Sequence, residues 1–112
     1  MRLLVAIINN PDHVVDILDE FYDIGVKGAT VIESAGMAHL IADHIPFFAR
    51  FSDLGEGNSQ RNRTIFAVID SNDLMEQAIG RIEKVIGDLR KPDTGVVFAL
   101  PVDFCRGLDK EE

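Results

Sequence analysis

Three side chains that could bind a metal ion lie close together in the sequence. They are His39, Asp43 and His44. On a helix, His39 and Asp43 would share one face at a spacing of four, and Asp53 or Glu56 could add a carboxylate. The segment has neither an HxxxH pair nor a closed zinc pattern, and these residues fit equally well as polar groups on an amphipathic segment. We therefore predict no metal site and keep a divalent-ion site as the alternative.

Residues for catalysis are poorly arranged. Cys105 and the serines are the candidate nucleophiles, and none lies in a nucleophile elbow. The carboxylates are scattered over helix surfaces, and neither a phosphate-binding P-loop nor a dinucleotide fingerprint is present. The sequence predicts a protein that is not an enzyme.

Cationic side chains cluster near the ends of two predicted strands. They are Arg61, Arg63, Arg90, Lys91 and Arg106. Cations gathered on loops can bind an anionic ligand, and the turn Asp93-Thr94-Gly95 has small residues that let backbone amides approach a phosphate. The alternative is that these charges are simply solvated.

The elements that would position these residues form a doubled pattern. Leu3 to Asn10, an apolar run ending in a polar turn, is echoed by Thr64 to Ser71. Each copy continues into a helical run (Pro11 to Ile24; Asp73 to Leu89) and a second strand (Ala29 to Glu33; Val96 to Leu100). This repeat predicts an α+β fold: a ferredoxin-like βαββαβ sandwich, with a four-stranded antiparallel sheet and two helices on one face.

Local signals set the expected helix ends. Asn10 and Pro11 are typical of a helix start, and Gly25 of its end. In the second copy we predict Asp73 as the N-cap, with Glu76 three residues on in a capping-box arrangement.

The unrepeated parts are residues 36–62, a long β2-β3 loop, and residues 101–112, the C-terminal tail of a single domain spanning residues 1–112. The first half of the loop is strongly apolar, and long loops between strands are commonly functional. A sheet with helices on one face also leaves its other face uncovered. We therefore expect the chain to associate with further copies of itself.

Composition narrows the class of protein. The chain has 112 residues, 46% of them hydrophobic, with a net charge of -8, which argues against a nucleic-acid partner. The single cysteine fits a reducing cytoplasm. The apolar run from Leu3 to Ile8 is far too short to span a bilayer, so we predict no membrane insertion.

Several segments together resemble the PII-like signalling proteins, the superfamily of the nitrogen regulator PII. Residues 24–31, IGVKGATV, resemble the family's GIKGMTV, and Gly36-Met37 occupies the place of the GFGR segment that starts its long T-loop. Thr94-Gly95 matches the short B-loop, and residues 97–102, VFALPV, resemble IFVLPV. The opening strand with its polar turn matches as well, so the matching segments extend from the first predicted strand to the last.

The resemblance implies a homotrimer whose three intersubunit clefts bind adenine nucleotides and whose T-loops contact partner proteins. Gly28 and Thr30 would then lie beside the base. The loop residues Gly36, Met37, Ala38 and His39 would line the phosphate side, with Thr94 and Gly95 in the B-loop and Arg106 in the tail.

The chain also departs from the family pattern. Val96 replaces the B-loop lysine, His39 and Leu40 replace an arginine and a glutamine at the T-loop base, and the tail offers only Arg106. Each lost charge-assisted hydrogen bond to phosphate removes about 1.5–3 kcal/mol, so tight ATP binding is not expected.

Two hypotheses follow. The first is a non-catalytic sensor without a tightly bound cofactor, a homotrimer that binds a small anionic effector between subunits, an adenine nucleotide with fewer phosphates being one candidate. Residues 36–62 would contact an unknown partner protein. The second is a structural or metal-responsive trimer similar to the CutA-like proteins.

Overall fold

The computed structural model describes residues 1–26, 28–37, 62–92 and 94–108. Its strands are β1 (Arg2–Ile8), β2 (Thr30–Ser34), β3 (Asn62–Ile69) and β4 (Gly95–Pro101). Its helices are α1 (Val14–Asp23), which follows a single 3₁₀ turn at Pro11–His13, and α2 (Asn72–Ile86). The described elements therefore follow the predicted order of two strand-helix-strand units.

The four strands form one sheet in the order β2-β3-β1-β4, and every neighbouring pair is antiparallel. The predicted α+β fold with a four-stranded antiparallel sheet and two helices is confirmed, and the arrangement is compatible with a ferredoxin-like sandwich. β1, the most apolar strand, lies inside the sheet. β2 and β4 form its opposite edges.

Both helices pack against one face of the sheet. That face is built from alternate residues of the central strands, among them Leu4, Ile8, Ile65 and Ile69, because successive strand side chains point to opposite faces. The helical residues buried against them are Val14, Ile17, Phe21, Met75, Ala78 and Ile82. Their spacing of three or four residues along each helix is typical of an apolar stripe that faces a core. Leu18, Ile79, Val85 and Ile86 are partly buried beside them.

The first helical segment starts where the sequence predicts. The side chain of Asn10 accepts a hydrogen bond from the backbone N–H of Asp12 at 3.0 Å, and Pro11 follows it. The chain makes a 3₁₀ turn before the α-helix begins. Gly25, which has a φ of 100°, follows the helix, so the expected glycine stop is confirmed.

The predicted start of α2 is wrong by two residues. Ser71, not Asp73, is the N-cap: its hydroxyl accepts a hydrogen bond from the backbone N–H of Leu74 at 3.1 Å. Asp73 lies in the first turn, where a carboxylate complements the helix dipole and accepts from Gln77. The helix also ends at Ile86 rather than Leu89.

Two loop boundaries also shift. Asn62, predicted as the last residue of the insertion, is the first residue of β3, where it pairs with Ser34. Pro101, predicted to open the tail, ends β4. A proline is tolerated there because β4 is an edge strand, whose outer N–H groups need no partner strand.

The helices are joined on their outer surface by an ionic network. Arg81 of α2 contacts Glu20 at 2.6 Å and Asp23 at 2.8 Å, and Lys84 contacts Glu20 at 3.2 Å. The hydrogen bonds from Arg81 and then Lys84 hold the pKa of the Glu20 carboxyl below its ordinary value. The network therefore links α1 to α2.

Gly95 is the position where a side chain is least tolerated. It has a φ of 154°, and a Cβ atom there would lie 2.5 Å from the carbonyl oxygen of Ile7. We expect Gly95→Ala to lower the free energy of unfolding by about 1–3 kcal/mol, measured by urea titration. Gly80→Ala is the control: its Cβ meets nothing within 4 Å, and alanine should stabilise α2 by up to about 1 kcal/mol. Equal stability of the two variants would contradict the close approach.

The ionic network should contribute in a pH-dependent way. A carboxylate with a lowered folded-state pKa stabilises the protein above its unfolded pKa, and this stabilisation is lost as the pH falls through the folded pKa. We expect the stability difference between wild type and Arg81→Gln to be full at pH 7 and to shrink below pH 4.5, the ordinary value for Glu20. Urea unfolding at pH 7, 5 and 3 measures it, with Arg2→Gln as the control. A difference that stays constant with pH would indicate packing of the arginine stem instead.

Candidate functional site

The predicted ligand residues lie on opposite edges of the sheet. Gly28 and Thr30 lie just before and at the start of β2, and Gly36 and Met37 follow its end. Thr94, Gly95 and Arg106 border or begin the other edge strand, β4. Because β3 and β1 lie between the two edges, the edges are three strand spacings, or ~14 Å, apart. One chain therefore does not bring these residues into a single pocket.

Strand pairing also shows which candidates share an end of the sheet. Gly95 pairs with Ile8, and Ile8 pairs with Arg63, which in turn pairs with Glu33. Gly95 and the end of β2 thus lie at the same end of the sheet, on opposite edges. Arg106 follows the other end of β4. The candidate residues consequently lie on different edges of the sheet and at different ends of its strands.

The candidate ligand residues also differ in how far they are exposed to solvent. Met37 is 76% exposed, and Gly28, Thr30 and Arg106 are exposed as well. Gly36, Thr94 and Gly95 are half-buried. Ala38 and His39 lie outside the described residues. The described candidates are accessible surface groups.

Most of the described candidate cations have partners within the chain, and Arg63 lies in β3 rather than in a loop as expected. Arg63 forms a 3.8 Å ion pair with Glu33, and Arg90 makes two hydrogen bonds of 3.1 Å to the carboxylate of Asp88. Hydrogen bonds from the side chain and the backbone of Arg90 hold the pKa of the Asp88 carboxyl below its ordinary value. The guanidinium of Arg106 lies 5.2 Å from the centre of the Phe104 ring, a cation–π contact.

Lys91 is exposed and, in contrast to Arg63 and Arg90, has no ion pair within the described ranges. Its backbone carbonyl accepts a hydrogen bond from the hydroxyl of Thr94 at 2.9 Å, which fixes the turn leading into β4. Arg61 lies outside the described residues. Among the described residues next to the start of β4, Lys91 is therefore the cation that an anion could reach.

A shallow depression lies on the helical layer, away from all the predicted site residues. It is lined by His13, Asp16, Asp19, Glu20, Lys84 and Val85. Its carboxylates disfavour an anionic ligand, and Glu20 is already paired with Arg81 and Lys84. The depression therefore does not replace the predicted site.

Metal-binding side chains do not come together in the part of the chain that the structure describes: no group of three His, Cys, Asp or Glu side chains could hold an ion there. His39, Asp43 and His44 fall outside that part. The exposed Cys105 is a free thiol.

The face of the sheet opposite the helices carries no charged side chain on any of the four described strands. The register places these residues on it: Leu3, Val5, Ile7, Thr30, Ile32, Ser34, Asn62, Thr64, Phe66, Val68, Val96, Phe98 and Leu100. We call this surface the open face. Val96 is 55% exposed, Phe98 45%, Ile32 46% and Leu100 40%. The apolar surface is therefore concentrated on the two edge strands.

A polar cluster at one end of the open face was missed by the sequence analysis. The hydroxyl of Ser34 hydrogen-bonds the side-chain oxygen of Asn62 and lies 2.8 Å from the hydroxyl of Thr64. The available signal was that Ser34 and Asn62 bracket the insertion, with Thr64 two residues further on the same face of a strand.

The chain matches no protein-family model, and no curated protein matches it significantly. The resemblance to PII-like proteins therefore rests on the motifs alone. Neither helix of the described ranges is long and apolar enough to cross a membrane.

Proposed function

We propose that this chain is a non-catalytic PII-like regulatory protein of the cytoplasm, a ferredoxin-like homotrimer that senses a small anionic effector between subunits. Residues 36–62 would carry the contact with a partner protein. The observation that carries the proposal is the division of the candidate residues between opposite edges of one sheet. A site made from them requires two copies of the chain.

The open face supports association. An apolar surface without a charged residue, on a chain with a net charge of -8, offers copies a contact region free of their mutual repulsion. Stable protein interfaces bury about 1,200–2,000 Å² in total, and side chains such as Phe98 and Val96 supply apolar area for one. Each Å² of apolar surface removed from water contributes about 25 cal/mol before the costs of association.

The symmetry of the proposed assembly depends on which sheet edges of neighbouring copies are in contact. A site that combines the end of β2 in one copy with the start of β4 in the next is a contact between two different surfaces. Such heterologous contacts form closed rings when the rotation closes, whereas a two-fold dimer joins identical surfaces. A ring of three agrees with the trimer that the family resemblance implies.

The chemistry of the shared site favours a weakly charged anion. Lys91 and the backbone of the turn at Thr94 and Gly95 would lie on one side, with Gly36 and Met37 of the neighbouring copy on the other. Val96 cannot supply the cation that the family places in this loop. We therefore propose an effector with less charge than ATP. AMP and ADP are the first candidates.

The assembly is tested by light scattering at micromolar concentration. We expect a mass three times the 12.4 kDa of one chain. Phe98→Asp and Val96→Lys each place a charge on the open face and should shift the mass towards the monomer. Tyr22→Asp is the matched control, because Tyr22 is 69% exposed on α1 and should leave the mass unchanged. Circular dichroism verifies that each variant is folded. A monomeric wild type would refute the proposed assembly.

Ligand binding is tested by isothermal titration with AMP, ADP, ATP, cyclic nucleotides and bicarbonate. We expect saturable binding of at least one of them, weakened about tenfold or more by Lys91→Ala, because a charge-assisted hydrogen bond contributes about 1.5–3 kcal/mol. Lys84→Ala, on the helical layer, should not change it. The absence of binding across the panel would count against a nucleotide or bicarbonate sensor.

Metal analysis of protein purified without a His tag distinguishes the CutA-like alternative from the proposed sensor. A stoichiometric divalent ion that disappears on substituting His39 or His44 would support that alternative. Protein without such an ion, combined with nucleotide binding, would support the sensor.

A further inference from the structure

The end of the β2-β3 ladder is closed by side chains as well as by the backbone. Ser34 and Asn62 form the last cross-strand pair before residues 38–61. The hydroxyl of Ser34 contacts both Asn62 and Thr64, which is the next residue of β3 on the same face. We call these three residues the neck cluster.

The direction of the two hydrogen bonds follows from counting protons. The side-chain oxygen of Asn62 can only accept, so the single hydroxyl proton of Ser34 must be donated to it. Ser34 then has only lone pairs left, and the hydroxyl of Thr64 must donate to Ser34. The result is a directed chain from Thr64 through Ser34 to Asn62, in which each bond polarises the next.

Burial ties this chain to the open face. Thr64 is 8% exposed and is the buried polar residue of the described core regions. Its cross-strand neighbours are Ile7 on β1 and Ile32 on β2, both on the open face. A buried hydroxyl left without a partner is destabilising, so Thr64 holds Ser34 in this position.

We propose that Ser34 is a positioning residue that couples the open face to the point where the insertion leaves the sheet. Packing on the open face would remove the water that reaches the half-buried Ser34 and Asn62, and would strengthen the chain of hydrogen bonds that starts at the buried Thr64. The positions at which the strand ends enter and leave the insertion would then depend on whether the face is covered. This inference deepens the proposed function and rests on it for its regulatory meaning, but the local coupling exists without an effector.

Amide hydrogen exchange on the full chain tests the coupling without any ligand. Ser34→Ala and Thr64→Val each remove one hydroxyl. We expect exchange at Glu33 to Met37 and at Asn62 to Thr64 to become about five- to tenfold faster. Ser34→Thr and Thr64→Ser keep a hydroxyl and should retain slow exchange. Amides of α2 and of Leu3 to Val5, at the end of β1 away from the neck, should be unaffected in all four variants.

The outcomes separate a positioning role from general stability. Equal acceleration in α2, β1 and the neck would mean that the hydroxyls only stabilise the whole fold, and unchanged exchange at the neck would mean that they do not position it. Either result would overturn the proposal. If titration detects no effector while the neck responds as expected, the proposed function fails and the positioning role of Ser34 stands.

Discussion

The strand order β2-β3-β1-β4 is the constraint on which the rest of the structure depends. It places the apolar β1 inside the sheet, where both its edges are paired, and it leaves β2 and β4 as opposite edges. Two helices cover one face and, joined by Arg81, protect the core. The same order places the candidate ligand residues on opposite edges. The separation of these residues is thus a consequence of the fold.

The features outside the core follow from that separation. Gly95, the first residue of the edge strand β4, lies against the carbonyl of Ile7 with no room for a side chain. The neck cluster holds the opposite edge at the same end of the sheet. Between them lies a neutral, apolar face. An assembly in which β4 of one copy contacts β2 of the next would cover the face. It would also bring the start of β4 close to the end of β2 in the neighbouring copy.

Much of the fold could be predicted because local signals and hydrophobic pattern agree with the final structure. The spacing of Val14, Ile17 and Phe21 and the doubled unit were sufficient for the elements and the core. The N-cap of α2 was misjudged because Ser71 and Asp73 are both good capping residues, and only the backbone geometry decides between them. Residues of the candidate site could be proposed from the sequence, but their positions relative to one another could not. Hydrogen bonds between residues far apart in sequence, such as Ser34 with Thr64, depend on register and leave no periodic pattern.

The most direct test of the account asks whether the two edges meet between copies. In a Cys105→Ser background, a chain carrying both Met37→Cys and Lys91→Cys is treated with a short bifunctional thiol reagent, and the products are separated under denaturing conditions. The account predicts covalent dimers and trimers, because the edges of one chain are too far apart to be joined within that chain. It predicts no larger species, because a ring of three copies is closed. Products that remain single chains at every protein concentration would contradict it.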